Sequence, residues 1–293
     1  MRPFEYFAPE SLADTLQIFS DFGPEARPIA GGTDLVLQMR MGELAPRALV
    51  NLTRVAELRG SPTSDGSPYF LSALTTLQEL CQSESIRMRF PALAEAAATM
   101  ASGQVRNLAT VGGNLCNAAP SADLAAILLA LGAIARVVGP RGERRIPLEG
   151  FFLGPGRTVL ASDELLLGLE IPDPVGHSVY LKHSLRACMD IAIVGVAVSL
   201  HRVDGRCASA SIAMGAVAPT PIRALAAEAE LAGERLTPDR IERAARAAAA
   251  ESRPIDDMRA SAWYRRRMVE VLTRRALTSV AEAETGSGPN GLL

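Results

Sequence analysis

The segment AGGTD at residues 30–34 follows a short apolar run, and the segment TVGGN at residues 110–114 repeats this arrangement about 80 residues later. Glycine adopts backbone angles closed to other residues and puts no Cβ in the path of a ligand. Successive main-chain N–H groups in such a turn form a concave site for an anion. One glycine pair is common in ordinary turns. Two of them predict one elongated ligand whose diphosphate is held from both sides.

The spacing of apolar residues around the first glycine turn predicts a compact βαβ unit, with a strand at 27–30, a helix at 34–41 and a strand at 48–52. The segment 60–67 is rich in Gly, Ser, Pro and Asp, which predicts a turn. The elements predicted further along are a strand at 69–74, helices at 76–80, 90–100 and 123–131, and strands at 133–138 and 165–171.

The composition changes after PDPVG at residues 172–176, which predicts a domain boundary there. Three successive strands of an antiparallel sheet are predicted at 179–183, 193–203 and 208–215. The alanine-rich region up to residue 250 is typical of amphipathic helices, and a last helix is predicted at 260–283. The basic run at residues 265–267 is predicted to be a solvated face of that last helix, and contact with a partner subunit is the alternative.

The bulk composition indicates an ordinary globular protein of two domains or one large domain, with 293 residues, 48% hydrophobic and 21% charged. Its 30 basic and 32 acidic side chains lack the basic excess of a nucleic-acid binder. Residues 1–6 do not resemble a secretory signal, and the longest apolar stretch, 124–134, is too short to span a bilayer. We therefore expect a cytoplasmic protein with no membrane span.

The cysteines and histidines predict neither a metal site nor disulfides. Four cysteines lie far apart with no CxxC pair, and the three histidines are widely spaced. Zinc sites and iron–sulfur clusters require clustered ligands, and disulfides are rare in cytosolic proteins. We expect free thiols at Cys81, Cys116, Cys188 and Cys207.

Familiar catalytic and nucleotide signatures are missing from the sequence. There is no GxxxxGK[ST] and no GxGxxG after a strand, which argues against a P-loop and a Rossmann site. No residue stands out as a general acid, general base or nucleophile, so we predict no catalytic side chain. A redox subunit fits this pattern, because its cofactor performs the chemistry.

Several runs nevertheless resemble one family along nearly the whole chain. They lie at residues 29–35, 104–114, 117–123, 154–156, 165–172, 186–191 and 216–223. The sequence is similar to the FAD-binding medium subunit of the xanthine dehydrogenase family, which includes molybdenum-containing CO, aldehyde and aromatic-compound dehydrogenases. It most resembles the flavin subunits of bacterial split-chain xanthine dehydrogenases.

The resemblance implies an α+β fold. A two-part FAD-binding domain of the vanillyl-alcohol-oxidase (PCMH-like) type would be followed by a C-terminal α+β domain with an antiparallel sheet and helices. The expected domains are residues 1–175, with subdomains at about 1–58 and 59–175, and residues 177–284. A disordered tail is expected at 285–293.

The resemblance also implies that this chain binds one FAD. Residues 27–34 would line its ADP and diphosphate, residues 110–114 would hold the diphosphate from the opposite side, and Asp123 would accept hydrogen bonds from the ribose or adenine. Lys182 would lie near the isoalloxazine, where a cation favours the anionic reduced flavin. The implied cofactor-binding residues are Arg27, Pro28, Ile29, Ala30, Gly31, Gly32, Thr33, Asp34, Thr110, Val111, Gly112, Gly113, Asn114, Asp123, Leu166 (through its backbone) and Lys182.

Simpler interpretations remain open for the two charged residues. Asp123 suits the cap of the helix that it begins, and Lys182 suits a solvated strand position. Ile191 lies where some relatives have a tyrosine that shields the flavin, and this leaves access for NAD⁺ open.

The function implied is an electron-transfer subunit of a molybdenum hydroxylase. Electrons would pass from two [2Fe–2S] clusters of a small partner subunit through FAD to NAD⁺ or another acceptor. Molybdopterin would be bound by a large partner subunit, and the complex is expected to be a dimer of heterotrimers. The alternatives are a self-sufficient flavin oxidoreductase of the vanillyl-alcohol-oxidase type and a non-redox nucleotide-binding module.

Overall fold

A computed structural model of the chain describes residues 1–59 and 67–283. Most of the predicted turn at 60–67 and the whole predicted tail at 285–293 lie outside the described residues. The strands are β1 (Glu5–Phe7), β2 (Ala26–Ile29), β3 (Ala48–Asn51), β4 (Tyr69–Ser72), β5 (Ile134–Gly139), β6 (Gly142–Pro147), β7 (Phe152–Gly154), β8 (Arg157–Thr158), β9 (Leu165–Ile171), β10 (His177–His183), β11 (Val194–Val203), β12 (Arg206–Gly215) and β13 (Ile222–Arg223). The helices are α1 (Leu12–Phe22), α2 (Leu35–Met41), α3 (Leu77–Gln82), α4 (Glu84–Arg89), α5 (Pro91–Ala98), α6 (Gly103–Arg106), α7 (Val111–Cys116), α8 (Asp123–Ala130), α9 (Leu225–Leu231), α10 (Pro238–Glu251) and α11 (Ala262–Ala283).

The chain forms two compact units, each assembled from separate stretches of sequence. Unit 1 comprises Met1–Leu80, Ala101–Ala118 and Ala133–Pro172, and unit 2 comprises Cys81–Met100, Ala119–Gly132 and Asp173–Leu293. The expected domain limits at residues 175 and 177 stay a prediction. Within the described part of the chain, no helix has both the length and the apolarity needed to cross a bilayer.

The described residues of unit 1 form two larger sheets and the small two-stranded sheet β7-β8. In the first, β1 and β2 both run parallel to β3, so that β2, α2 and β3 form the predicted βαβ unit. The second is antiparallel, with the strand order β4-β9-β5-β6. Side chains of both sheets and of α1 share one hydrophobic cluster, which includes Phe19, Val50 and Leu165.

Strand β6 was not predicted from the sequence, because its residues GERRIP lack an apolar alternation. It lies at the edge of the sheet and pairs with β5. Charges stabilise it there: Arg144 forms an ion pair with Glu164 at 2.7 Å, and Arg145 forms one with Glu170 at 2.8 Å. An exposed edge strand tolerates such charged residues because only part of its surface is buried.

Unit 2 is built on the antiparallel sheet β10-β11-β12-β13, and its first three strands confirm the prediction. Helix α8 packs on this sheet, and every residue of α8 is buried. Its sequence DLAAILLA supplies apolar side chains on all faces, as a fully buried helix requires. Helices α10 and α11 contribute Ala244, Val269 and Leu277 to the same core.

Arg265, predicted to lie on a solvated face of the last helix, is instead buried, with 3% of its surface exposed. Its Nη1 donates to the carbonyl oxygens of Ile193 at 2.8 Å and Ala216 at 3.2 Å. Its Nη2 forms an ion pair with Asp257 at 2.7 Å. Desolvation of Asp257 is outweighed by backbone N–H donors and by this guanidinium, which lower the pKa of Asp257 to about 2. Arg265 therefore has a structural role, since it links the last helix to two backbone carbonyls and to Asp257.

We expect Arg265→Met to lower the free energy of unfolding by about 3 kcal/mol, because it leaves two carbonyls and a partly buried carboxylate without their donor. Urea denaturation at pH 7 measures this change. Arg266→Met, one position along the helix at an exposed side chain, is the matched control and should change the value by about 0.5 kcal/mol or less. Equal effects of the two substitutions would contradict a structural role for Arg265.

Candidate functional site

The first glycine turn connects β2 to α2, and its position depends on the missing side chain of Gly31. A Cβ on Gly31 would lie 1.9 Å from the carbonyl oxygen of Leu108. This distance is far inside van der Waals contact, so only glycine fits against that backbone. The close approach brings the first glycine turn against the chain that leads into residues 110–114, so unit 1 places the two glycine segments side by side.

The backbone N–H groups of the first turn remain available for a ligand. Among the described residues, no protein acceptor is found for the N–H groups of Gly31, Gly32, Thr33 or Asp34. Gly32 has a φ of +68°, a left-handed conformation that favours glycine. Consecutive unpaired amides in such a turn attract an anion. This is the local geometry that a phosphate group requires.

Asp34 lies at the end of the first turn, next to the unpaired amides. Partial burial raises the pKa of its carboxyl group, and a hydrogen bond from the Thr33 side chain opposes the rise. The residue precedes α2 at the capping position, but its side chain makes no capping hydrogen bond.

The second glycine segment is not a turn, which corrects the prediction. Val111 to Asn114 form the beginning of α7, and Thr110 caps this helix by accepting a hydrogen bond from the Gly113 N–H at 3.0 Å. The N–H groups of Val111, Gly112 and Asn114 donate to the carbonyl oxygens of Thr75, Ala73 and Thr110, respectively. The amides of this segment are therefore occupied by protein acceptors, in contrast to those of the first turn.

The glycines of α7 allow close packing instead. A Cβ on Gly112 would lie 2.7 Å from the Cβ of Ala73 and 2.9 Å from its carbonyl oxygen. The glycine thus lets the first turn of α7 lie directly on the chain that leaves β4. Sequence reasoning could not separate this use of glycine from phosphate binding, because both require the absence of a side chain.

The side chain of Asn114 has a hydrogen-bond acceptor without a partner among the described residues. This acceptor is the side-chain oxygen, which is buried. Such a group loses its hydration on folding and is normally paired with a donor outside the chain, from a water molecule or a ligand. Leu166, the other predicted contact in unit 1, is buried on β9 and pairs with Val137 of β5.

In unit 2, the structure joins the predicted residues Asp123 and Lys182 in a buried ion pair. The Lys182 Nζ lies 3.0 Å from Asp123 Oδ2, and both side chains are 8% exposed. The Tyr180 hydroxyl donates to the other carboxylate oxygen at 2.5 Å. Burial raises the pKa of Asp123, and the Lys182 charge and the Tyr180 hydrogen bond oppose the rise. Burial beside this carboxylate also places the pKa of Tyr180 well above its usual value.

This arrangement corrects both simpler interpretations. Asp123 is the first residue of α8, but the capping position is Ala122 and no side chain caps the helix. Lys182 is buried and ion-paired, so it is not a solvated strand residue. The Asp123 carboxylate is therefore already paired within the protein, independently of a bound ribose or adenine.

Two features of the sequence indicate this cluster, although the prediction did not rest on them. Tyr180 and Lys182 are two positions apart on a strand, so their side chains point to the same face. In addition, lysine occurs once in the whole sequence, at position 182, and the other 29 of the 30 basic side chains are arginine. A single lysine in a chain that otherwise uses arginine indicates that this position requires an ammonium group.

Lys182 also helps to line a cavity of about 260 Å³ in unit 2, together with Thr99 and residues of the following loop. Within that loop, the Asp190 carboxylate accepts a hydrogen bond from the Arg186 N–H at 2.9 Å, and this bond lowers the pKa of Asp190. Ile191 directly after it is 47% exposed. The loop is thus held in shape by its own hydrogen bonds.

Two family models match the chain in succession. A model described as the FAD binding domain in molybdopterin dehydrogenase matches residues 2–174. A second model, described as the CO dehydrogenase flavoprotein C-terminal domain, matches residues 179–280.

Similar proteins match the chain over nearly its full length. It is 32% identical over 284 residues to the xanthine dehydrogenase FAD-binding subunit of Escherichia coli O157:H7, covering 96% of this chain and 97% of the relative. It is 33% identical over 277 residues to the carbon monoxide dehydrogenase medium chain of Hydrogenophaga pseudoflava, covering 94% and 96%.

Solved structures agree with these matches and confirm the predicted fold class. Carbon monoxide dehydrogenase from Hydrogenophaga pseudoflava, in a form lacking the Mo-pyranopterin moiety, contains a chain that matches with a TM-score of 0.92 at 35% identity, covering 97% of this chain and 99% of that chain. Quinoline 2-oxidoreductase from Pseudomonas putida 86 gives 0.90 at 30% identity, with 98% of each chain covered. The chain therefore belongs to the family of FAD-binding medium subunits of the xanthine and carbon monoxide dehydrogenases, which are components of multi-subunit oxidoreductases.

Proposed function

We propose that this chain is the electron-transfer subunit of a molybdenum hydroxylase, in which FAD takes electrons from [2Fe–2S] clusters of a partner subunit and passes them to NAD⁺ or another acceptor. The observation that carries the proposal is the row of unpaired amides at residues 31–34, in a chain whose family binds FAD. FAD supplies the redox chemistry when it is bound. The residues of the chain hold it and set its electrostatic surroundings.

We assign different groups in each unit to this role. In unit 1, the free N–H groups of residues 31–34 would bind the FAD diphosphate, and residues 27–30 would line the adjoining part of the nucleotide. Because the amides of residues 111–114 donate to protein acceptors, this segment would contribute through the Asn114 side chain and through its close packing. Leu166 would contribute a backbone contact.

In unit 2, Lys182 would supply positive charge near the isoalloxazine. An ammonium group has three N–H donors, and the single hydrogen bond to Asp123 leaves two of them for a ligand. Positive charge beside a reduced flavin stabilises the negative charge that reduction adds. Asp123 would act mainly as the partner of this lysine.

The relatives support the proposed partner subunits. Their names describe medium chains and FAD-binding subunits, and one related structure concerns loss of the Mo-pyranopterin moiety of the molybdenum cofactor. We therefore assign molybdopterin to a large partner and the [2Fe–2S] clusters to a small partner, in a dimer of heterotrimers. The cysteines at 81, 116, 188 and 207 form no disulfide among the described residues, which is compatible with a cytoplasmic location.

We expect Gly31→Ala to weaken FAD binding by at least about tenfold, equivalent to about 1.4 kcal/mol. The added methyl group would meet the Leu108 backbone, so the turn and its amides would be displaced. Titration of the FAD-free chain, followed by flavin fluorescence, measures the affinity. Gly150→Ala, where an added Cβ has no atom within 4 Å, should bind like the wild type. Unchanged affinity of Gly31→Ala would contradict the assignment of this turn.

We expect Lys182→Met to make the midpoint potential of bound FAD more negative, because a positive charge that stabilises the reduced form is removed. The expected loss of stabilisation is at least about 1 kcal/mol, the Coulomb energy of two unit charges 4 Å apart in water. Spectroelectrochemical titration measures the potential. Lys182→Arg retains the charge and should lie closer to the wild type. A potential unaffected by Lys182→Met would show that this lysine is remote from the flavin.

The complex itself is tested by affinity purification of the tagged full chain from its native host. We expect two further subunits, with molybdenum and iron eluting together with FAD, and reoxidation of the reduced complex by NAD⁺ if NAD⁺ is the acceptor. A chain that purifies alone and turns over a substrate without molybdenum would overturn the proposal.

A further inference from the structure

Tyr180 belongs to the buried cluster in unit 2 but is not among the residues that the family resemblance assigns to FAD. Its side chain is 7% exposed, and its hydroxyl lies 2.5 Å from Asp123 Oδ1. The opposite oxygen of the same carboxylate lies 3.0 Å from Lys182 Nζ. Two side chains thus hold the carboxylate, one a neutral donor and one a charged donor, and the backbone N–H of Asp123 adds a further hydrogen bond.

We propose that Tyr180 is a positioning residue, whose hydroxyl fixes the Asp123 carboxylate and thereby fixes the Lys182 ammonium group that faces the flavin. The inference rests on the proposed function for its last step, the role of Lys182 beside FAD. Its first step, from Tyr180 through Asp123 to Lys182, concerns only hydrogen bonds within unit 2.

The packing around the hydroxyl supports this role. Gly195 lies opposite Lys182 on β11, and a Cβ on Gly195 would lie 2.5 Å from the Tyr180 hydroxyl oxygen. The absence of a side chain at position 195 therefore makes room for the hydroxyl where it meets Asp123. Since Asp123 is fixed at the start of a fully buried helix, the carboxylate has little freedom once both donors are in place.

The carboxylate would behave differently without the Tyr180 hydroxyl. Asp123 Oδ1 would lose its side-chain donor in a site with little access to water, which costs about 1–3 kcal/mol. The side chain would then rotate or take up a proton, and in both cases the ammonium group would lose its fixed partner. Tyr180 prevents this by supplying the second side-chain hydrogen bond.

The single lysine of the sequence allows a direct test of the first step. Incorporation of isotopically labelled lysine gives one side-chain resonance, which reports the surroundings of Lys182 in the FAD-free chain. We expect Tyr180→Phe to shift or broaden this resonance. Tyr6→Phe is the matched control, because it removes a hydroxyl in unit 1 that accepts a hydrogen bond from Asn51, and it should leave the lysine resonance unchanged.

The second step is tested by a double-mutant cycle on the midpoint potential of bound FAD. We expect Tyr180→Phe to shift the potential in the same direction as Lys182→Met but by less, and to weaken FAD binding by about threefold to tenfold. In the Lys182→Met background, Tyr180→Phe should have almost no further effect on the potential, because it acts through the lysine. Equal shifts in both backgrounds would overturn the proposal.

Gly195→Ala keeps the inference testable if Tyr180→Phe folds poorly. It retains the hydroxyl but displaces it, and the atom that must move is the end of a side chain rather than backbone. We expect it to shift the lysine resonance and the potential in the same direction as Tyr180→Phe. Wild-type values for both would contradict the proposal.

Failure of the proposed function and failure of the positioning role are distinguishable. If the wild-type chain binds no FAD, the proposed function fails. If it binds FAD and Tyr180→Phe has the wild-type lysine resonance and midpoint potential, only the positioning role fails.

Discussion

The close approach of Gly31 to the Leu108 carbonyl oxygen determines the geometry of the first glycine turn, which we propose as the nucleotide site. A Cβ on Gly31 would lie 1.9 Å from that oxygen, and the N–H groups of residues 31–34 have no protein acceptor among the described residues. The turn therefore lies against the Leu108 backbone and leaves its own amides without a protein acceptor. Consecutive amides of this kind attract an anion, so the contact that shapes the turn also leaves it open to one.

The two glycine pairs have different structural roles, although their sequences are similar. Gly31 and Gly112 both allow close packing on a neighbouring stretch of chain. The amides of residues 111–114 donate to protein acceptors, whereas those of residues 31–34 have none among the described residues. The second pair supports the first indirectly, because α7 follows directly after the segment that Gly31 touches. The proposed binding turn and the segment that supports it thus share one composition and differ in the hydrogen bonds of their amides.

Much of the fold was predictable because the regular spacing of apolar residues along a segment indicates either a helix or a strand. The apolar run of β9 and the three strands β10 to β12 were placed within a few residues, and the βαβ unit was predicted correctly. Features that depend on distant partners were not predictable. The burial of Arg265 requires the carbonyls of Ile193 and Ala216, and the pairing of Lys182 requires the Asp123 carboxylate. None of these partners is adjacent in sequence, so the spacing of residues could not identify them. Only the single lysine marked position 182 as unusual.

The solitary lysine has a practical consequence for mapping the assembly of this subunit. Amine-directed cross-linkers, widely used to find neighbouring chains in large complexes, react with exposed lysines and with the α-amino group. Here the only lysine is enclosed in an ion pair with 8% of its side chain exposed, so such reagents will find no surface lysine on this protein. Guanidinium- or carboxylate-directed chemistry is the appropriate choice, since arginine and acidic side chains make up nearly all of its charged surface.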